Sequence, residues 1–251
     1  MPSLLAIIPH PDDESYSFAA TIAAAVHAGW HCSVVCCSDG ERGKRHDGGA
    51  AGTEELRLAR RAELSSSCAL LGAAAPSFWG LSDGSLAAGP DQTARVADLI
   101  VQAGPDMILT LGSDGAYGHP DHIAVHRWVA AAWASLGSPP ALLFAAFPRG
   151  LFAPQWHRCR KMMGNPPQPP VDSLGTANPH YELRGHRLAE RKRSALASHR
   201  SQLPGGNPEF LFPPGIVRGL VGVERFTDAR GRRDDRVGSW FRTWQAEAAN
   251  G

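Results

Sequence analysis

Two short clusters of histidine and carboxylate residues carry the chemistry that this sequence offers. Residues 9–14 read Pro-His-Pro-Asp-Asp-Glu directly after an apolar run, and residues 117–122 read Tyr-Gly-His-Pro-Asp-His shortly after another. Imidazole and carboxylate groups are typical zinc ligands, and a catalytic zinc site uses three protein ligands and keeps one position for water. The two clusters together supply enough groups for such a site and for acid–base catalysis beside it.

The spacing of the first cluster predicts how a metal ion is held. His10 and Asp13 lie three residues apart, so a turn that enters a helix can direct both side chains at one point. His122 of the second cluster can provide the third ligand. Bound zinc lowers the pKa of its water toward about 7. Asp12, adjacent to a ligand but free of the metal, is placed to take the proton of that water.

The second cluster predicts groups on the opposite side of a bound carbonyl. As a protonated imidazole, His119 can stabilise an oxyanion and give a proton to a leaving amine. Asp121 can orient that ring and stabilise its charge. A turn histidine is often only a surface residue, and Asp12 with Asp13 could simply cap a helix. The presence of both clusters, each after a predicted strand, favours the functional interpretation.

Alternating apolar runs and helical patterns surround these clusters. Short apolar runs are typical of strands buried on both faces. Strands are predicted at 4–8, 32–37, 77–81, 107–111 and 142–147, and helices at 18–28, 53–71, 91–103 and 120–136. This order predicts an α/β fold with a parallel, doubly wound sheet. In such sheets ligands bind beyond the carboxyl ends of the strands, which is where both clusters lie.

Residues 148–251 have a different character. The stretch 148–179 is rich in proline and is expected to be mostly irregular, with a basic helix at 184–201 and a closing helix at 240–249 further on. The apolar run 216–226 fits either a strand or a short helix. We expect one domain over 1–251, with a core at 1–147 and a smaller C-terminal portion packed on it.

Composition and charge disfavour several other classes of protein. The chain has 251 residues, with 25 Lys and Arg, 24 Asp and Glu and a net charge of +1. This balance argues against binding of nucleic acid and against a polybasic membrane patch. Five cysteines without a CxxC pair, no basic leader and no apolar run of about 18 residues predict a reduced, cytoplasmic protein without a membrane anchor.

With these motifs the sequence resembles the LmbE-like (PIG-L) family of zinc-dependent N-acetylglucosaminyl deacetylases. The resemblance rests on the two clusters and extends over most of the chain. Weaker support comes from Arg61-Ala62-Glu63, Leu70-Leu71-Gly72, Asp83-Gly84 and the segment from Lys192 to Gln202. The family implies a Rossmann-like three-layer fold with a mostly parallel sheet and a smaller C-terminal portion, in agreement with the periodicity.

The family pattern also implies roles for residues of both clusters. It implies one zinc ion per chain, which Fe²⁺, Co²⁺ or Mn²⁺ could replace at such a site. The implied metal ligands are His10, Asp13 and His122. The implied catalytic residues are Asp12 as general base and His119, paired with Asp121, as electrostatic stabiliser or general acid.

Four further residues are expected to contact the substrate or the intermediate. The family pattern implies that Tyr117 reaches the oxygen of the intermediate. It implies that Arg61 and Asp83 contact hydroxyls or phosphate of the substrate. From their positions alone, Glu41 in the loop after the second strand can bind sugar hydroxyls, and Arg149 after the fifth strand can hold a carboxylate or a hydroxyl.

The expected function is metal-dependent hydrolysis of the amide of an N-acetylglucosamine-type sugar or glycoconjugate, with zinc-bound water as nucleophile. The expected partner is therefore a small N-acylated sugar, and a homo-oligomer is compatible with the sequence. The alternative is an amidase of the same family that acts on a thiol conjugate or an antibiotic intermediate. A nucleotide-binding dehydrogenase is disfavoured, because acidic residues stand where GxGxxG would bind a pyrophosphate. A non-catalytic carbohydrate-binding module is also disfavoured, because it would need no general base beside the metal and Asp12 stands in that position.

Overall fold

The centre of the molecule is one β-sheet. The structure is a computed structural model, and it describes residues 1–50 and 54–250. The seven strands of this sheet in the described residues are β1 (Ser3–Ile8), β2 (His31–Ser38), β3 (Ser77–Leu81), β4 (Met107–Thr110), β5 (Ala141–Ala145), β6 (Tyr181–Arg184) and β7 (Val223–Asp228). Their order is β3-β2-β1-β4-β5-β7-β6. Strands β1 to β5 run parallel, and β7 lies antiparallel between β5 and β6. The predicted α/β fold with a mostly parallel sheet is confirmed.

Helices connect the strands and cover both faces of the sheet. They are α1 (Asp13–Ser17), α2 (Ala19–His27), α3 (Glu54–Leu71), α4 (Thr93–Ala103), α5 (Gly115–Gly118), α6 (Pro120–Ala134), α7 (Ala153–Cys159), α8 (His186–Ser198), α9 (Ile216–Val221) and α10 (Asp235–Asn250). Residue 53, the predicted start of α3, lies outside the described residues. Among the described helices, none has both the length and the apolar character needed to cross a bilayer.

The parallel strands are apolar on both faces because helices cover both. Along β1, Leu4, Ala6 and Ile8 belong to a core that includes residues of α2, α3, α8 and α10. The alternate residues Leu5 and Ile7 belong to a second core with α4 and α6. Successive side chains of a strand point to opposite faces, so a strand buried on both sides shows an unbroken apolar run. This is the three-layer arrangement that the apolar runs predicted.

The C-terminal portion extends the sheet and completes the first core. Strand β7 pairs with β5, and Leu196, Val217 and Trp244 from α8, α9 and α10 pack into the core beside α2. The sequence prediction missed β6, and the run 216–226 contains both α9 and most of β7. The division of the chain at residue 147 stays a prediction.

A buried ion pair joins this portion to the first half of the chain. Lys192 of α8 donates to Glu224 of β7 over 2.8 Å, and each side chain is 1% exposed. The same carboxylate accepts from the backbone N–H groups of Ala20 and Thr21, at 2.9 and 2.8 Å, in the first turn of α2. Helix α2 has no side-chain cap at its own N-cap residue. Glu224 therefore pairs amides that the start of a helix leaves unsatisfied.

Candidate active site

The three predicted metal ligands meet at the carboxyl ends of two neighbouring parallel strands. His10 and Asp13 follow β1, and His122 lies in the first turn of α6, after β4. Nδ1 of His10 lies 3.2 Å from Nε2 of His122 and 3.5 Å from Oδ2 of Asp13. Oδ1 of Asp13 lies 3.4 Å from Nε2 of His122. All three residues are buried, so two imidazole nitrogens and one carboxylate converge on one point.

Further hydrogen bonds fix the orientation of two of these predicted ligands. The Tyr16 hydroxyl donates to Oδ1 of Asp13 at 2.6 Å, and the backbone N–H of His10 donates to Oδ2 at 2.9 Å. Nδ1 of His122 lies 3.1 Å from the carbonyl of Gly115, so this nitrogen carries the proton and Nε2 presents its lone pair. Burial acts to raise the pKa of Asp13, but the charges of His122 and His10 outweigh it and hold that pKa well below its usual range.

The carboxylate of Asp121 contacts a different histidine from the one predicted. Its Oδ2 lies 3.3 Å from Nε2 of His10, where Asp83 also approaches at 3.1 Å. It also accepts from the backbone N–H groups of Gly84 and Leu86, at 2.7 and 3.0 Å. The pairing of the Asp121 carboxylate with His119 is therefore corrected: Asp121 reaches that ring only through its backbone N–H.

His119 is held in its neutral form rather than as the predicted imidazolium. Its Nδ1 accepts from the backbone N–H of Asp121 at 3.2 Å, which assigns the proton to Nε2. Burial and the nearby rings of His122 and His10 lower the pKa of His119 to about 2. The ring stacks on His122 with centroids 4.6 Å apart and meets the edge of Tyr117 at 5.8 Å. His119 can thus serve as a neutral Nε2–H donor.

Asp12 has a strained backbone that several hydrogen bonds hold in place. Its φ is 134° and its ψ −22°, a conformation that a residue with a Cβ rarely adopts and that costs about 1–3 kcal/mol. Glu14 accepts from the Asp12 N–H at 3.2 Å, and Ser15 donates to the Asp12 carbonyl from its N–H and from its hydroxyl, at 3.0 and 2.7 Å. The surrounding turn thus fixes where the Asp12 carboxylate points.

The environment of Asp12 makes it a stronger base than an ordinary carboxylate. Burial raises the pKa of Asp12 to about 6, although the positive charge of Arg60 acts against this shift. A base is most effective when its pKa lies near the working pH. Asp12 is therefore ionised at neutral pH and still able to accept a proton.

Arg60 is a site residue that the sequence analysis missed. It is buried, and Nη2 donates to Oδ2 of Asp12 at 3.1 Å and to the Pro11 carbonyl at 2.5 Å. The neighbouring Arg61, predicted to bind substrate, instead contacts Asp39 at 3.4 Å and is not among the residues that line the cavity. Leu56, Leu64 and Cys68 form the buried stripe of α3. All three lie a multiple of four residues from position 60, so position 60, not 61, lies on the inner face.

A second buried network supports the turn that carries Asp12. Glu14 is fully buried and accepts from the Ser67 hydroxyl at 2.6 Å, and Nε2 of His199 lies 2.8 Å from the same Oε1. Burial acts to lower the pKa of His199, but the charge of Glu14 outweighs it and raises that pKa above the ordinary histidine value. This network ties the strained turn to α3 and to the end of α8.

One cavity of about 390 Å³ is lined by the three predicted metal ligands together with Asp12, His119 and Tyr117. This volume lies within the usual range of ligand pockets, about 300–1,000 Å³. Of the predicted substrate-binding residues, Asp83 lines the cavity, whereas Glu41 and Arg149 do not. Glu41 accepts from the Asp83 N–H at 2.9 Å, and Arg149 is exposed after β5. The prediction that Glu41 and Arg149 contact the substrate directly is therefore corrected, because neither side chain lines this cavity.

The comparison with known proteins identifies the family. A sequence profile of the PIG-L family, described as GlcNAc-PI de-N-acetylase, matches residues 5–133. This span covers more than half of the chain and contains both clusters. The chain belongs to the PIG-L family. The resemblance found in the two motifs is thereby confirmed, and the protein is a member of a deacetylase family.

Other PIG-L-like proteins match over nearly the whole chain. The 1D-myo-inositol 2-acetamido-2-deoxy-alpha-D-glucopyranoside deacetylase of Thermomonospora curvata is 30% identical, with 93% of this chain and 92% of that protein covered. The enzyme of the same name from Thermobifida fusca is 28% identical, with 96% and 97% covered. The structure of N,N'-diacetylchitobiose deacetylase from Pyrococcus horikoshii matches with a TM-score of 0.63 at 24% identity, covering 90% of this chain and 83% of that one. This structural match shows a shared fold.

Proposed function

We propose that this protein removes the acetyl group from the amide nitrogen of an N-acetylglucosamine-type sugar or glycoconjugate, with the help of a divalent metal ion. The observation that carries the proposal is the convergence of His10, Asp13 and His122 beside Asp12 in one cavity. The names of the relatives, deacetylases of an N-acetylglucosaminyl inositol, support the substrate class.

The donor set fits a catalytic zinc ion. Two imidazole nitrogens and one carboxylate are a common set of three protein ligands that leaves a further position open, and Tyr16 and Gly115 hold these ligands as outer partners usually do. When bound, such an ion polarises a carbonyl oxygen and lowers the pKa of water. Zinc is our proposal for its identity, because Fe²⁺, Co²⁺ and Mn²⁺ accept the same ligands.

Asp12 is the group that we propose to move the proton. Its carboxylate takes a proton from the attacking water, which frees the oxygen to bond to the acetyl carbon. The same carboxyl then returns the proton to the amide nitrogen as the carbon–nitrogen bond breaks, so that acetate and a free amine result. The pKa of about 6 for Asp12 suits both steps at neutral pH.

Two neutral donors can stabilise the negative charge that develops on the acetyl oxygen. His119 offers its Nε2–H, since Nδ1 already accepts from Asp121. Burial and the charge of Asp13 raise the pKa of Tyr117 well above its usual value, so its hydroxyl stays protonated. Both residues line the cavity, and preorganised donors of this kind are typical of oxyanion sites.

A coupled metal and activity measurement tests this function. Purified protein is analysed for metal, and acetate release is followed with N-acetylglucosamine glycosides before and after chelation. Asp12→Asn should keep the metal and lose turnover by about 10²-fold or more, whereas His10→Ala should lose both. Arg184→Gln, which removes an exposed ion pair with Glu182, is the control with unchanged activity.

The result also separates this function from its alternatives. Full activity of folded His10→Ala would overturn the metal-dependent mechanism. Release of amine only from thiol conjugates or antibiotic intermediates would favour the alternative amidase. We also propose a cytoplasmic location. The five cysteines have free thiols, and this fits a reducing compartment.

A further inference from the structure

The turn between β4 and α6 contains a strained residue. Ala116 has φ 63° and ψ −62°, values close to those of the γ-turn that is rare and strained in proteins. Among the described residues, only Asp12 and Ala116 combine a side chain with a positive φ. Such a conformation persists only where neighbouring contacts hold it. The residues around this turn must therefore supply those contacts.

The peptide group between Gly115 and Ala116 is held at both ends. Its N–H donates to Oδ1 of Asp114 at 3.0 Å. Its carbonyl, which belongs to Gly115, lies 3.1 Å from Nδ1 of His122. Because a trans peptide group is planar, its N–H and its carbonyl point in opposite directions. The bond to Asp114 therefore fixes the direction of the carbonyl that orients His122.

Asp114 is itself anchored to a distant part of the chain. Its Oδ2 accepts from the backbone N–H of Gly175 at 2.8 Å, across 61 positions of the sequence. Among the described residues, no cation forms an ion pair with this carboxylate. Both of its oxygens accept from backbone amides instead. The side chain of Asp114 thus serves to hold the backbone of the turn.

A rotation of this peptide group by half a turn would relieve the strain and damage the metal site. The rotation would make the φ of Ala116 negative, which is the side that alanine prefers. Gly115 has φ 60°, and glycine tolerates such changes readily. After the rotation, an N–H would face Nδ1 of His122 in place of the carbonyl. His122 would then keep its proton on Nε2, the nitrogen that faces His10 and Asp13.

We propose that Asp114 is a positioning residue for His122 and acts through the peptide group between Gly115 and Ala116. This inference rests on the proposed function, in which His122 binds the metal ion. Metal-binding histidines usually donate their second ring N–H to a carboxylate or a backbone carbonyl. Here a carboxylate and a peptide group act in series, and hydrogen bonds in such a chain polarise one another. Asp114 thereby favours the Nδ1–H form of His122 and leaves Nε2 for the ion.

The protonated nitrogen of His122 tests this proposal without metal and without substrate. Long-range ¹H–¹⁵N correlation spectra of the metal-free protein at neutral pH show which ring nitrogen carries the proton, and His122→Gln assigns the signals. The wild type should show the Nδ1–H form. Asp114→Ala should show the Nε2–H form in its place. An unchanged Nδ1–H form in Asp114→Ala would overturn the proposal.

Metal affinity and a rescue assign the effect to the peptide group. Asp114→Ala should weaken Zn²⁺ binding by about 10–100-fold in a competitive chelator titration. Glycine accepts a positive φ without strain, so Asp114→Ala/Ala116→Gly should regain about fivefold or more of this loss. Asp91→Ala is the matched control with unchanged affinity. This exposed aspartate also accepts from a backbone N–H, that of Thr93 at 2.7 Å, and does not line the cavity.

The outcomes separate this role from a merely structural one. A Zn²⁺ affinity of Asp114→Ala within about twofold of the wild type, or a loss that Ala116→Gly does not reduce, would overturn the proposal. Circular dichroism checks that each variant folds, and Asp114→Leu, which keeps a similar volume without an acceptor, replaces an alanine variant that does not. If the wild type bound no metal, the proposed function would fail, whereas the protonated nitrogen of His122 would still decide the role of Asp114.

Discussion

The buried pair of Lys192 and Glu224 allows a quantitative test of how the C-terminal portion holds the first helices. Lys192→Met keeps a long apolar chain but removes the ammonium group, which leaves a Glu224 carboxylate that is 1% exposed without its cation. Removal of one partner of a buried pair destabilises a protein by about 3–5 kcal/mol. Each kcal/mol lowers Tm by about 2–4 °C in a chain of this size. We therefore expect Tm to fall by roughly 6–20 °C.

Urea unfolding followed by far-UV circular dichroism measures this loss directly. The matched control is Arg184→Gln, which removes an exposed pair with Glu182 and should cost less than about 1 kcal/mol. A free energy of unfolding for Lys192→Met within about 1 kcal/mol of the wild type would refute the reasoning. The apolar packing of the first core would then hold α2 and α8 together without the pair.

Glu224→Gln removes the other partner of this pair, and it should make the free energy of unfolding depend on pH. Burial lowers the pKa of Lys192, and the charge of Glu224 acts against that shift. In Glu224→Gln the pKa of Lys192 should therefore fall further below its unfolded value. The native state then binds fewer protons than the unfolded state, so stability rises with pH. The loss of stability relative to the wild type should be fully present below the lowered pKa of Lys192. It should become smaller as the pH rises toward the pKa of a lysine in the unfolded chain, about 10.4.

Three shorter predictions concern the candidate site. Tyr16→Phe removes the hydroxyl that donates to Asp13 and should weaken metal binding by about 10–100-fold in a competitive chelator titration; an unchanged affinity would contradict the role of this hydrogen bond. Arg60→Gln should lower kcat by about tenfold or more with the metal retained, since Asp12 loses a charged partner, whereas Arg61→Gln should stay within about twofold. Removal of the metal by a chelator should abolish acetate release, and added Zn²⁺ should restore it.

The parts of the site that are local in sequence could be predicted. His10 and Asp13 share one turn, and a buried parallel strand before them is visible as an apolar run, so their place at a strand end followed from the sequence. His122 could be joined to them because β1 and β4 are both such strands. The two strands are neighbours in the sheet, and this brings the three predicted ligands together.

The parts that depend on the phase of a helix or on long-range contacts could not be predicted as well. Arg60 and Arg61 are adjacent, and only the stripe of Leu56 and Leu64 shows which one points inward. The direction of the Asp121 carboxylate depends on the backbone amides of a distant turn. Strand β6 has four residues and, among the described strands, pairs only with β7. Its alternation of apolar and polar residues is therefore too short to indicate a strand.

The hydrogen bonds around α1 and α2 set the order in which a growing chain can finish its fold. Glu224 reaches Ala20 across 204 positions of the sequence, and His199 reaches Glu14 across 185. Contacts between distant positions form late and slow the search for the native state. During synthesis, the turn at residues 12–14 and the start of α2 therefore gain these contacts only after most of the chain has been made. A chain truncated before residue 199 keeps both clusters of histidine and carboxylate residues, yet it lacks His199 and Glu224, which contact Glu14 and the start of α2.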